Sequence, residues 1–323
     1  MATNWLERPN LISILILLVV VLLAGGYGFV TYTQRPEMNS FDVDEDYAFD
    51  FDFSRASRIV DLPKDLEEIS GLTAWTRPNE VLAVQDEDGE LFVVDVSSGK
   101  ITLDFKFGKD RDYEGIARDN DSIYVLEKDG DIHWIQYQDS LTEYDAEKLE
   151  TSFSYRNDTE GICFDDRTGT LLIVPKEQEL NPNDDADNRR GIYTYDLQRR
   201  ELTPQPTYYI DEFEVGEAVY GKQSRYRIKP SGVAVDPITG DIYVVASVGN
   251  ILVVIDRESN LKHIELLDEN IFKQPEGITF NEDGDLFISS EGRGGKGIIA
   301  TLLRSRREAI TDEPTDAEAK TNE

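Results

Sequence analysis

Five copies of one short motif divide the chain into units of nearly equal length. The copies are Glu68-Ile-Ser-Gly71-Leu, Asp112-Tyr-Glu-Gly115-Ile, Asp158-Thr-Glu-Gly161-Ile, Lys229-Pro-Ser-Gly232-Val and Gln274-Pro-Glu-Gly277-Ile, with glycine-to-glycine spacings of 44, 46, 71 and 45. A period near 45 is that of a four-stranded propeller blade, so the long interval carries an insertion of about 25 residues. Each unit also repeats internally. After the glycine comes an alternating strand, then a second strand (80–85, 122–126, 170–174, 241–246 and 285–289), and in several units a third such as 91–96 or 251–255. Gly, Asp and Asn punctuate these β-rich runs, which is hairpin chemistry. The pattern predicts an all-β, five-bladed β-propeller. The fifth unit runs out after its third strand, near Leu303. Residues 48–62 are therefore expected to supply the missing outer strand, because closing the ring with both ends of the chain removes an open β edge.

The N-terminus sets the compartment. No charged residue occurs between Arg8 and Arg35, and residues 11–33 are almost continuously apolar. That length crosses a hydrocarbon core of ~30 Å at ~1.5 Å per residue. Residues 37–52 then hold seven acids and no base, so charge asymmetry favours a cytoplasmic N-terminus and an exported body. A cleaved signal peptide, processed near Ala24-Gly25-Gly26, is the competing reading. The apolar run continuing through Tyr27, Phe29 and Val30 favours the uncleaved anchor. The expected organisation is a cytoplasmic N-terminus (1–10), a single transmembrane helix (11–33), a solvated acidic linker (34–47), the propeller (48–303, with the insertion at about 179–228) and a disordered tail (304–323).

Charge and composition exclude several classes of function. Thirty-three Lys and Arg against 65 Asp and Glu give a net charge of −32, which phosphate backbones repel, so nucleic acid is not a partner. Two histidines and one cysteine leave no room for an intrachain disulfide, a thiolate zinc site or a multi-histidine metal centre. Cys163 lies in an alternating strand and reads as a small core residue.

Chemistry concentrates at one place. The first strand of a blade lines the central channel, so five-fold repetition should gather Ser70, Glu114, Glu160, Ser231 and Glu276 at one mouth. Glu68, Asp112 and Asp158 precede them by two residues. The second strand runs back, adding Asp86, Glu87, Glu127, Lys176, Glu177, Ser247, Ser290 and Glu291. Converging carboxylates repel one another unless a cation neutralises them. An oxygen-only ligand set suits a hard cation, Ca²⁺ ahead of Mg²⁺ or Mn²⁺. The expected ligands are Glu114, Glu160, Glu276 and Glu68.

The stretches LPKDLEEISGL, VQDEDGELFVVD, KDRDYEGIA, DTEGICFD, VPKEQE, KPSGVAVDPITGDIYVVAS and QPEGITFNEDGDLFISSEG, spread over residues 60–303, together resemble the SdiA-regulated (YjiK-like) family of bacterial membrane-anchored proteins. The resemblance implies a five-bladed propeller distantly akin to NHL-repeat propellers, with a calcium site in the channel, and no established reaction. In the similar gluconolactonase and regucalcin propellers an acidic residue or Asn before the strand-initial glycine ligates the metal. That pattern maps onto Glu114, Glu160 and Glu276, whereas Ser70 and Ser231 depart from it.

Two functions follow as expectations. One is a calcium-binding module of the cell envelope that presents its loops to a ligand or protein. The other is a metal-dependent hydrolase of an ester, lactone or phosphoester, with Glu177 or Glu87 as base and Lys176 stabilising negative charge. Both place the body in the periplasm, held to the bacterial inner membrane by the N-terminal helix. Alkaline phosphatase fused after Glu323 is expected to be active and a cytoplasm-dependent fluorophore at the same point dark; the opposite pattern would overturn this orientation.

Overall fold

Strand periodicity builds five antiparallel sheets arranged around one axis. The structure, a computed structural model, describes Ile14 and residues 16–21, 38–182 and 188–305. Two short strands come first, β1 (Ser40–Asp42) and β2 (Arg58–Asp61). Blade one is β3 (Ile69–Ala74), β4 (Glu80–Gln85), β5 (Glu90–Asp95) and β6 (Lys100–Lys106). Blade two is β7 (Tyr113–Asp119), β8 (Ser122–Glu127), β9 (Ile132–Gln136) and β10 (Glu147–Leu149). Blade three comprises β11 (Thr159–Asp165), β12 (Thr170–Pro175), β13 (Arg189–Asp196) and β14 (Glu201–Leu202), with β15 (Tyr208–Asp211) pairing the other half of β13. Blade four is β16 (Lys229–Val235), β17 (Ile242–Val248), β18 (Ile251–Ile255) and β19 (Leu261–Leu266). Blade five is β20 (Pro275–Phe280), β21 (Leu286–Ser290) and β22 (Ile298–Leu302). Inner strands meet in the cycle β3, β7, β11, β16, β20 and back to β3, which closes the ring.

The core is divided among the seams between blades. Leu82, Val84, Val125 and Ile135 pack between blades one and two, and Tyr243, Val245, Ile288 and Leu302 between blades four and five. Each middle strand faces a neighbouring blade on both sides, which is why β4 and β18 are buried along their whole length.

Closure follows the sequence expectation: β2 pairs β22, with Val60 opposite Ile299. The expected linker, residues 34–47, divides differently. Within it Ser40–Asp42 adds a fifth strand to blade four by pairing β19. Phe49 stacks on the buried His263 at 3.7 Å, and His263 Nδ1 lies 2.7 Å from an Asp42 carboxylate oxygen. Phe41, Tyr47, Phe49, Phe51 and Phe53 alternate with acids, so one face of this segment packs on the core while the other carries charge. The sequence reading weighed its acidity and missed that alternation.

The far boundary shifts in the same way. Arg304, expected to begin a disordered tail, reaches Asp50 at 2.7 Å and Asp236 at 2.5 Å beneath the Phe51 ring. Residues 306–323 lie outside the described residues. The expected anchor at 11–33 is described only at Ile14 and 16–21, which are helical. Among the described residues no helix is long and apolar enough to cross a membrane.

The insertion is stapled to blade three by charge. A helix, Glu212–Tyr220, is capped by Asp211, whose side chain accepts from the Phe213 and Glu214 amides. The fully buried Glu212 carboxylate bridges Arg190 at 3.0 Å and Arg225 at 2.6 Å and accepts from the Ile228 amide. A buried carboxylate persists only with its lone pairs satisfied in this way.

Removing 48–61 strips β2 from β22 and the Phe51 and Phe53 rings from the core. We expect that deletion to aggregate, seen as an excluded-volume peak in size-exclusion chromatography, and removal of 307–323 to leave the elution unchanged.

Candidate functional site

A β-bulge recurs at the same place in every blade. In β3 Ile69 pairs Gln85 and Gly71 pairs Val84, leaving Ser70 as the extra residue. Glu114, Glu160 and Ser231 are the extra residues of β7, β11 and β16, and Glu276 lies in the corresponding irregularity of β20. A bulge bends its strand and re-aims one side chain. Here it sets the motif residue before each glycine around the axis.

Bare backbone at the next position closes the channel beneath them. A Cβ on Gly71 would lie 2.7 Å from Gly115 Cα, one on Gly115 2.7 Å from the Glu160 carbonyl oxygen, and one on Gly161 2.9 Å from Gly232 Cα. The cycle continues from Gly232 to the Glu276 carbonyl at 2.4 Å and from Gly277 to the Leu72 amide nitrogen at 2.9 Å. The space left at this waist is about 10 Å³, at the limit for one water molecule. The two mouths of the propeller are therefore separate compartments.

A second ring sits beside the first. Register places at a common level the residue one past the second-strand partner of the residue before each bulge: Asp86, Lys128, Lys176, Ser247 and Glu291. The Lys128, Lys176 and Glu291 amides donate to the carbonyls of Asp112, Asp158 and Gln274, each two residues before a bulged glutamate. The rings pair by blade as Ser70 with Asp86, Glu114 with Lys128, Glu160 with Lys176, Ser231 with Ser247, and Glu276 with Glu291. Blades two and three are thus internally neutral. Lys176 Nζ lies 2.7 Å from Glu160, and Lys128 Nζ lies 3.5 Å from Glu114 and 3.2 Å from Asp158.

Blades five and one carry the uncompensated charge. Asp86, Glu276 and Glu291 have no ion pair among the described residues, and Asp86 Oδ1 is buried without a hydrogen-bond donor. Burial first, then Glu68, Glu87 and Asp112, raises Asp86 to about 6. Burial, then Asp86, Glu68 and Glu114, raises Glu291 to about 7. Glu276 is pushed up to about 8 by burial and by Glu291, against the pull of Lys176. Burial also raises Glu160 and Glu114, while burial works against the charge of Lys176 and is outweighed by Glu160 and Glu276.

Other residues expected at this mouth have local duties. Glu127 is buried and clamped by Arg111 at 2.9 Å and His133 at 3.0 Å. Ser231 donates to the Pro275 carbonyl at 2.6 Å, and Ser70 and Ser247 are buried. Glu68, Asp112 and Glu87 are exposed at the rim, and Glu177 is ion-paired with Lys229. Of the expected catalytic groups, Lys176 and Glu177 are therefore each held in a salt bridge. Of the expected metal ligands, Glu114 and Glu160 face lysines, and Glu276 and Glu68 belong to the uncompensated side. Sequence reasoning missed Lys128. Aligning the units on the end of the second strand would have set it level with Lys176.

Among the described residues no three Asp, Glu, His or Cys side chains form a ready-made metal cage. What fits a hard cation is the donor chemistry of blades five and one: carboxylate oxygens held in no ion pair among the described residues, one of them buried without a donor.

A sequence profile described as SdiA-regulated matches residues 60–293, and the chain belongs to that family. No functionally curated protein matches it. Among solved structures, glutaminyl cyclase from Myxococcus xanthus is similar at a TM-score of 0.50 and 12% identity, over 76% of this chain and 94% of the cyclase. A PQQ-bound aldose sugar dehydrogenase from Streptomyces coelicolor aligns at 0.48 and 14%, over 76% and 97%. A streptogramin B lyase aligns at 0.44 and 14%, over 76% and 97%. At such identities the likeness to the cyclase is one of fold alone.

Carboxyls raised in the folded state bind protons that the unfolded chain has released, so their contribution to stability is full below about 4.5 and lost as pH rises towards about 8. In metal-free buffer with chelator we expect Tm to fall between about pH 5.5 and 8.5, and Glu291→Gln to flatten the fall. Scanning calorimetry at fixed ionic strength checks this; a flat or rising Tm in the wild type would contradict it.

Proposed function

We propose that this member of the SdiA-regulated family is a membrane-tethered binding module of the bacterial envelope whose acidic mouth takes a calcium ion. The observation that carries the reading is the one-sided charge of the two rings. Lysines answer the glutamates of blades two and three, whereas Asp86, Glu276 and Glu291 face one another across the seam between blades five and one. Carboxylates gathered there without an ion pair of their own are costly when ionised. These three, with Glu68 at the rim, would hold the cation, and its charge would offset their repulsion and tie the first blade to the last. Since blade five already joins the two ends of the chain, a cation there would secure the point at which the ring closes. The tether and the periplasmic setting rest on the apolar N-terminal run and the acidity that follows it.

The pairing changes which substitutions should matter. Calcium at about one hundred times Kd should raise Tm by about 5 °C or more in chelator-treated full-length protein. The double variant Asp86→Asn with Glu291→Gln should lose that response. Glu160→Gln should keep it while lowering the starting Tm, because Lys176 then loses its closest partner. A melting curve indifferent to both calcium and chelator, or a double variant responding like the wild type, would refute the reading.

A further inference from the structure

Beyond the glycine waist the inner strands diverge, and the opposite mouth opens into a cavity of about 720 Å³ lined from all five blades. This volume lies in the range of small-molecule sites, and the waist isolates it from the acidic mouth. Trp75, just past the end of β3, is fixed edge-on against Tyr137 with centroids 4.9 Å apart. The Arg118 guanidinium lies over the indole at 4.6 Å from its centroid. Stacking on a wedged indole fixes the plane of the fork.

Beyond the indole, Arg118 feels carboxylates only at a distance, Asp121 first, then Glu282 and Asp119. Its Nε is buried without a hydrogen-bond partner. Among the described residues no carboxylate oxygen lies within the 4.0 Å of an ion pair. Yet carboxylates line the same cavity: Asp119 beside it, Asp166 past the end of β11 and Glu282 past the end of β20. Asp166 and Glu282 also lack ion pairs among the described residues, and partial burial, then Asp119 and Asp165, holds the Asp166 carboxyl above its ordinary range. Opposite charges thus share one cavity without touching.

That separation selects the ligand. A purely anionic molecule would gain Arg118 but meet three carboxylates, and a purely cationic one would leave the guanidinium without a counter-charge. We propose that this funnel binds a small zwitterion of amino-acid to dipeptide size. Arg118 receives its carboxylate through the planar fork, and Asp166 and Glu282 receive its ammonium.

The dipeptide Ala-Leu, its N-acetyl derivative and its C-terminal amide separate the charge requirements. Calorimetric titration of each into the full-length protein is expected to give Ala-Leu at least about tenfold tighter than either capped form. Arg118→Gln and Asp166→Asn should each weaken Ala-Leu by about tenfold or more, and Arg118→Lys by less. Asp166 is at the exposed rim, so its variant tests the site even if Arg118→Gln fails to fold. Glu201→Gln, on the exposed outer strand of blade three, should leave dipeptide binding unchanged. The proposal is overturned if Ala-Leu does not bind at about 10 mM, if the capped forms bind equally well, or if Asp166→Asn binds like the wild type.

Discussion

Five backbones meet at the axis with no side chain between them, and both mouths are positioned by that contact. The distances from Gly71 to Gly115, Gly161 to Gly232 and Gly277 to Leu72 leave no room for a Cβ. A methyl group at any of these positions would push backbone against backbone, which the surrounding seams resist because they are packed on both faces. The same closeness forces the preceding residue into a bulge. A requirement of backbone packing therefore becomes a device for presenting side chains at the mouth.

Once presented, those side chains are sorted by what the second strand brings level with them. Lys128 and Lys176 answer Glu114 and Glu160, whereas Asp86 and Glu291 add to the charge of blades one and five. In a half-buried mouth the effective dielectric is well below that of water, so this difference between neighbouring blades is felt strongly. An almost regular fivefold repeat carries an irregular charge pattern, and the irregularity coincides with the blade that joins the two ends of the chain. Across the waist the balance differs again. There a lone guanidinium on an aromatic shelf faces carboxylates it does not touch, and no channel links the two chemistries.

Much of this was legible beforehand because a blade is a local object. Its strands, turns and strand-initial glycine lie within about 45 residues of sequence, so periodicity reports them directly. The second strands and the closing strand formed where the alternation and turn residues placed them. The misreadings have one origin, which is that net composition outweighed pattern. Residues 40–47, expected as a solvated acidic linker, carry Phe41 and Tyr47 on a part-buried face. Arg304 is expected in the charged tail, though its partners Asp50, before the first blade, and Asp236, in the fourth, lie far from it in sequence.

By itself the sequence determined the number of blades, the place of the glycine ring and the excess of acid at one mouth. All of these follow from repetition and charge count. Tertiary structure alone decided which acids are answered. Glu160 and Glu276 occupy the same position in the motif, and only strand register sets a lysine beside one and a glutamate beside the other. It alone also set Arg118 on Trp75, residues from adjacent blades that meet because the inner strands splay apart beyond the waist. Register and seam packing act between strands distant in sequence, and a motif read along the chain does not contain those distances.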